Sequence, residues 1–230
     1  MHASATPLLA DSSRPLFEWR WVERNADAIL QRLGEHIALT ATALGIGLVL
    51  SLALATLCLR YRWFYPFVVG AAGALYVIPS LGAFALLVPL LGFSFATSVI
   101  PLATYTLLIL IRNIVTGVQQ VPTEVREAAI GMGFTPRRLL WQVELPLALP
   151  VVIAGLRVAA VTTIGLVTVT SLLGKGGLGY FIRAGIQTTI PNPSPIIVGV
   201  VLSIALAVLV DLLLWLSERA LAPWARRAVR

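Results

Sequence analysis

A helix that crosses the hydrocarbon core of a bilayer needs ~20 consecutive, mostly apolar residues, because nothing in the lipid can pair with an open backbone. This chain offers that pattern five times. Ile37 to Leu59 is the first stretch, bounded by Arg60 and Arg62. Phe64 to Leu91 is the second, interrupted by Pro66, Pro79 and Pro89. The third runs from Phe95 to Ile114, contains Pro101 and ends beside Arg112 and Asn113. The fourth covers Val151 to Leu173 and the fifth Pro195 to Leu216. Of the 230 residues, 58% are hydrophobic and 12% charged, whereas about a quarter of a soluble domain is charged. The expected fold class is an all-α integral membrane protein with about five transmembrane helices.

The net charge of +7 comes almost wholly from arginine, Lys175 being the one lysine. These arginines stand between apolar runs rather than in one patch. They read as topology signals and contacts with membrane lipids, not as a nucleic-acid surface. Cys58 is the single cysteine and lies in an apolar run, so no disulfide framework or redox motif is present. His2 and His36 have no spaced partner, so no metal site is expected. Residues 1–36 carry mixed charges without the apolar core of a signal peptide.

The charge distribution sets the expected topology. Arg60 and Arg62 follow the first span, Arg126, Arg137 and Arg138 the third, and Arg219, Arg226, Arg227 and Arg230 the fifth. The connection between the second and third spans has no charge. All three basic segments fall on the cytoplasmic side if there are five spans and the N-terminus is outside. Arg14, Arg20, Arg24 and Arg32 would then be external, against the rule. Residues 1–36 read as an N-terminal tail with an interfacial amphipathic helix, in which Phe17, Trp21, Ile29 and Leu33 alternate with charged residues; a frayed polar tail is the alternative. Residues 37–217 form the transmembrane domain, with a cytoplasmic loop over 115–150, and residues 218–230 a basic cytoplasmic tail.

The loop carries the most specific signal. Glu127-Ala128-Ala129 is followed after three residues by Gly133, and after nine more by Val143, one residue, and Leu145-Pro146. Pro122 opens a helix expected to run to about Gly131. Thr135 can cap a second helix with Pro136 at its first position, where a missing N–H matters least. That second helix is expected to stop near Pro146. Gly133 between them permits a tight turn.

This spacing resembles the EAA loop of permeases in binding-protein-dependent ATP-binding-cassette importers, matching at every element. The resemblance implies a type I ABC importer permease fold in a bacterial cytoplasmic (inner) membrane. It implies that the first loop helix docks in an ATPase, with Glu127, Ala128, Ala129 and Gly133, flanked by Arg126 and Arg137, as the coupling residues. The implied partners are two ABC ATPase subunits, a second permease subunit (the same chain or a sister) and a solute-binding protein. No cofactor is expected in this chain, since ATP and Mg would be bound by the ATPase. Ile78-Pro79-Ser80-Leu81, Ile111-Arg112-Asn113, Ala154-Gly155-Leu156-Arg157, Thr163-Ile164-Gly165 and Gly176-Gly177-Leu178-Gly179 resemble the osmoprotectant branch, which imports glycine betaine, carnitine, choline or proline. The alternatives are a permease for another small polar solute, such as an amino acid or methionine-like compound, and a channel or secondary transporter.

Gly174, Gly176 and Gly179 also spell G-x-G-x-x-G, but no strand precedes them, so a dinucleotide site is not expected. No P-loop is present, and no catalytic constellation: the chain is not expected to be an enzyme, and energy must arrive from a partner. Arg157 on the fourth span and Asp211 on the fifth lie at similar depth from the cytoplasmic face. They form an interhelical ion pair, or Arg157 snorkels to the headgroups. Asn113, Thr163, Thr168 and Ser171 are candidates for a polar translocation path, with helix packing by small hydroxyl residues as the alternative. The six tryptophans fall near expected interfaces and read as an anchoring belt.

Overall fold

The structure is a computed structural model and describes residues 16–173, 176–188 and 193–226. His2, Arg14, Gly174, Lys175, Arg227 and Arg230, named above, lie outside the described residues. Among those described the chain is helical throughout, without strands: α1 (Trp19–Arg24), α2 (Ala26–Arg60), α3 (Tyr65–Val77), α4 (Ser80–Leu91), α5 (Phe95–Gln119), α6 (Thr123–Gly131), α7 (Pro136–Leu139), α8 (Leu145–Val169), α9 (Gly179–Ile186) and α10 (Pro193–Leu221). Four helical segments are long and apolar enough to cross a membrane, and five if the bent pair α3 and α4 makes one crossing.

The first departure from expectation is at the N-terminus. α2 runs unbroken for 35 residues, roughly 52 Å at 1.5 Å per residue, against a hydrocarbon core of about 30 Å. Residues 26–36 are therefore continuous with the first span and not a separate helix, and the boundary at 36/37 falls within a helical turn. Nucleating a helix is costly and lengthening one is not. With no proline between Ala26 and Arg60, the charged turns simply continue the apolar ones. Only α1 stands apart, ended at Asn25, whose side-chain amide donates to the Trp21 carbonyl at 2.7 Å.

The second span is broken. α3 and α4 have 13 and 12 residues and meet at 89°, so neither alone reaches across 30 Å. Pro79 has no N–H to give, and it forces Ile78 before it into an extended conformation at φ −59°, ψ 126°. The Ile78 carbonyl, freed by the break, accepts from the Tyr105 hydroxyl of α5 at 2.8 Å.

The third departure is at Pro146, where the second loop helix was expected to stop. Instead a π-helical turn over Leu140–Glu144 joins α7 to α8, and Pro136–Leu173 is one continuous rod. Pro146 falls in the first turn of α8, and the widened turn before it absorbs the register conflict that a proline brings to a helix interior.

α2, α5 and α8 form the centre, with α10 against α8 and α9, and α3 against α5. Two apolar clusters fill the bundle. One joins Leu39 and Ala43 to Phe84, Val99, Leu102, Val167 and Leu173. The other joins Ala55 and Cys58 to Val68, Leu110, Ile111, Ile114 and Ala159. Close helix approach at the second depends on small residues: a Cβ on Gly155 of α8 would lie 2.4 Å from Cβ of Asn113 on α5.

Candidate functional site

The loop between α5 and α8 folds into a short helix held at both ends. Pro122 precedes α6, which leaves Glu127 and Ala128 exposed while Ala129 is buried beneath them. Ile130 and Met132 are also exposed, at 59% and 70%. α6 ends in a Schellman turn: the Gly133 N–H donates to the Ile130 carbonyl at 2.9 Å and the Phe134 N–H to the Ala129 carbonyl at 3.1 Å. Gly133 sits at φ +81° to make that turn, with no atom within 4 Å of where a Cβ would stand. The requirement for glycine is thus in the backbone, not in the space around it. Thr135 then caps α7, accepting from the Arg138 N–H at 3.4 Å, with Pro136 at its first position.

Arg126 ties this helix to two spans. Its Nε donates to Glu144 Oε1 at 2.7 Å, at the foot of α8, and its Nη2 donates to the carbonyl of Val118, in the last turn of α5. Arg126 and Glu144 are only 25% and 13% exposed, so the pair is shielded better than a surface ion pair. The exposed face at Glu127 and Ala128 and the internal strut at Arg126 therefore belong to one rigid piece. Arg137 is elsewhere, at the wall of a cavity that α7 forms with the end of α2. Glu144 was not singled out in the sequence. Its signal was an acid lodged between the aliphatic position and the Leu-Pro of an otherwise apolar motif.

A second polar joint links α8 to α10. Arg157 donates from Nε to Asp211 Oδ1 at 2.7 Å and from Nη2 to Asp211 Oδ2 at 2.8 Å, a two-pronged pair. Glu218 Oε2 stands 3.9 Å from Arg157 Nη1. Its signal was the spacing of seven residues from Asp211, two turns along the same helix face. The guanidinium therefore points across to α10 instead of snorkelling.

The four residues considered for a polar path do not converge. Thr163 is buried and donates to the Ala159 carbonyl of its own helix at 2.7 Å, and Ser171 is buried. Asn113 is half-buried against Gly155 and donates back to Ile109 at 2.8 Å. Of the four, only Thr168, half-buried, lies toward the open side of α8, where Ala154, Val158, Val161 and Gly165 make an exposed stripe that Leu172 continues beyond its end. At the opposite end of the bundle the buried His36 of α2 ties three elements: Nε2 contacts the Ile164 carbonyl at 3.1 Å, and Nδ1 accepts from the Leu178 N–H at 3.3 Å. Nearby, Arg32 lies 4.2 Å from the ring centroid of Tyr180 on α9, and Trp21 packs edge-on to Phe181 at 5.7 Å. Among the described residues no group of three or more His, Cys, Asp or Glu could hold a metal.

Residues 43–223 match the family model described as "Binding-protein-dependent transport system inner membrane component". The choline transport system permease protein OpuBB of Bacillus subtilis is 32% identical over 204 residues, covering 89% of this chain and 93% of the relative. The osmoprotectant import permease protein OsmW of Salmonella typhimurium is 35% identical over 205 residues, covering 86% and 94%. Among solved structures, an inward-facing MetNI methionine ABC transporter superposes with TM-score 0.77 at 21% identity, covering 86% of this chain and 98% of that one. An amino acid ABC transporter solved with histidines gives TM-score 0.74 at 19% identity, covering 88% and 98%. Those two likenesses concern the fold.

Proposed function

Because this chain belongs to the family of binding-protein-dependent transport system inner membrane components, and is the permease subunit of an ABC importer in the inner membrane, we propose that it carries compatible solutes of the glycine betaine, carnitine, choline or proline class. Relatives named for choline and for osmoprotectants, alike over nearly the whole chain, support that reading. The likeness to methionine and amino acid transporters is at 19–21% identity and carries no argument about cargo.

The observation that carries the coupling part is the geometry of α6. A short helix shows a carboxylate at Glu127 and a small residue at Ala128 outward, while Arg126 behind it grips both α5 and α8. Two ATPase subunits, binding ATP and Mg themselves, would receive this helix and its counterpart on a second permease, a copy or a sister chain. Closure of the ATPases would move α6, and Arg126 would pass the displacement to the two central spans. Ala129 is the buried seat of the helix and Gly133 sets its exit. The stripe on α8 that includes Thr168 would face the second permease across the translocation path. A solute-binding protein would deliver cargo at the opposite face, near α9.

The test is solute-stimulated ATP hydrolysis by the importer reconstituted with its ATPase and binding protein. Glycine betaine, carnitine, choline or proline should raise the rate several-fold, and methionine or histidine should not. Stimulation by methionine or histidine alone would replace the proposed cargo while leaving the permease assignment intact.

A further inference from the structure

Where α2 ends against α7, two guanidinium groups stand beside a cavity of about 640 Å³. Arg60 lines it from the last turn of α2 and Arg137 from α7. Both are exposed, and among the described residues neither has a hydrogen bond or ion pair; the Arg60 guanidinium stands over the neighbouring Tyr61 ring, 6.0 Å from its centroid. Glu144 also reaches this wall, but Arg126 holds its carboxylate at 2.7 Å. The uncompensated charge of the cavity is therefore positive.

The rest of the lining is not what a wholly aqueous ligand would need. Leu59 and Leu140 give apolar walls, and the Trp141 indole, 53% exposed, closes one side. The cavity reaches Thr56, a full turn inside the end of a bilayer-spanning helix. It therefore begins in the apolar layer and opens at headgroup depth, where indole rings settle. Guanidinium forks fit phosphate oxygens in two-pronged fashion, and basic hollows between spanning helices on the cytoplasmic side suit anionic lipid headgroups.

We propose that this cavity holds the headgroup phosphate of an anionic phospholipid, with Arg60 and Arg137 on the phosphate and acyl chains leaving past Thr56 and Leu59. The lipid would then join the end of α2 to the segment that follows α6, so that the loop is braced by Arg126 on one side and by a lipid on the other. An acidic segment of a soluble partner fits less well, because the inner wall at Thr56 lies within the span.

The experiment is native mass spectrometry of the intact importer released from detergent, titrated with phosphatidylglycerol, with phosphatidylcholine as the zwitterionic control and inorganic phosphate as competitor. Neither ATP nor solute is added, so the result is independent of the cargo. Wild type should retain phosphatidylglycerol over phosphatidylcholine, and R60Q/R137Q should weaken retention by about 30-fold, taking roughly fivefold for each basic residue at an anionic membrane surface. R60K/R137K, which keeps the charge, should retain most of it. Should R60Q/R137Q fail to assemble, R137Q alone is read, with an expected loss of about fivefold. Equal retention by wild type and R60Q/R137Q would overturn the proposal. So would displacement of the lipid by millimolar phosphate, which would make this a free-anion site. Loss of the ATPase from R60Q/R137Q with lipid retention unchanged would assign the arginines to the ATPase contact instead.

Discussion

Gly133 and Glu127 do different jobs in the same loop, and substitutions separate them. At Gly133 the backbone is at φ +81° with empty space beyond it. Valine there costs roughly 1–2 kcal/mol from the left-handed backbone alone, whereas asparagine, which visits that region, should be tolerated far better. Gly133→Val is expected to lower solute-stimulated ATP hydrolysis at least tenfold in an inserted permease, and Gly133→Asn by less than threefold. Equal loss in both would mean that side-chain bulk, not the turn, matters. Glu127→Lys reverses an exposed charge without touching the fold, so it should abolish transport while the permease remains in the membrane at wild-type level. The Arg157 and Asp211 pair is tested by additivity. Each single alanine substitution should lower the melting temperature by roughly 3 °C, and the double should lower it by less than the sum. Strictly additive losses would mean that the two-pronged contact contributes nothing beyond its separate halves.

Elements were legible wherever their signal was local. Residues 123–131 and the Thr135 cap follow from Pro122, Gly133 and Pro136, each of which acts on its immediate neighbours. Pro79 marked a break in the second span, but the 89° angle did not follow from it. At the bend Tyr105, 27 residues from Ile78, donates its hydroxyl to the Ile78 carbonyl. Tyr105→Phe keeps the edge-on packing against Tyr76 at 5.8 Å and removes only that bond. Losing a hydrogen bond to this half-buried acceptor should cost about 0.5–1.5 kcal/mol, measurable as earlier unfolding of the detergent-solubilised permease; an unchanged unfolding midpoint would assign the bend to Pro79 alone. Pro146 misled in the opposite direction. A proline predicts the end of a helix only if no wider turn precedes it, and the π-turn over Leu140–Glu144 has no residue signature of its own. The path candidates failed for a similar reason: hydroxyl residues recur along α8 whether they face the core, as Thr163 does, or the open side, as Thr168 does, and only packing tells which.

At the scale of the whole molecule, the orientation of the coupling loop depends on whether α3 and α4 cross the bilayer or turn back. If the pair re-entered on the side where it began, α5 would run the other way and α6 would face outward. The two apolar clusters decide the matter. Val68 of α3 packs with Cys58, Ile111 and Ile114, whereas Phe84 of α4 packs with Leu39, Val99 and Leu173. Leu39 and Cys58 lie in α2 separated by about 28 Å of helix rise, nearly the thickness of the hydrocarbon core. The bent pair therefore begins at one end of the bundle and finishes at the other, which makes five crossings. The arginines at 60, 62, 126, 137 and 138 then share one side, the side that the loop-charge preference assigns to the cytoplasm. In a Cys58→Ser background, single cysteines replacing Gln120 and Arg138 should be protected from an impermeant thiol reagent in intact cells. Cysteines replacing Phe93, between α4 and α5, and Gln187, after α9, should react. Labelling at Phe93 and Arg138 together would mean that the pair and α5 do not cross as the clusters require. Labelling at Arg138 with protection at Phe93 and Gln187 would invert the whole permease and remove α6 from the reach of any cytoplasmic ATPase.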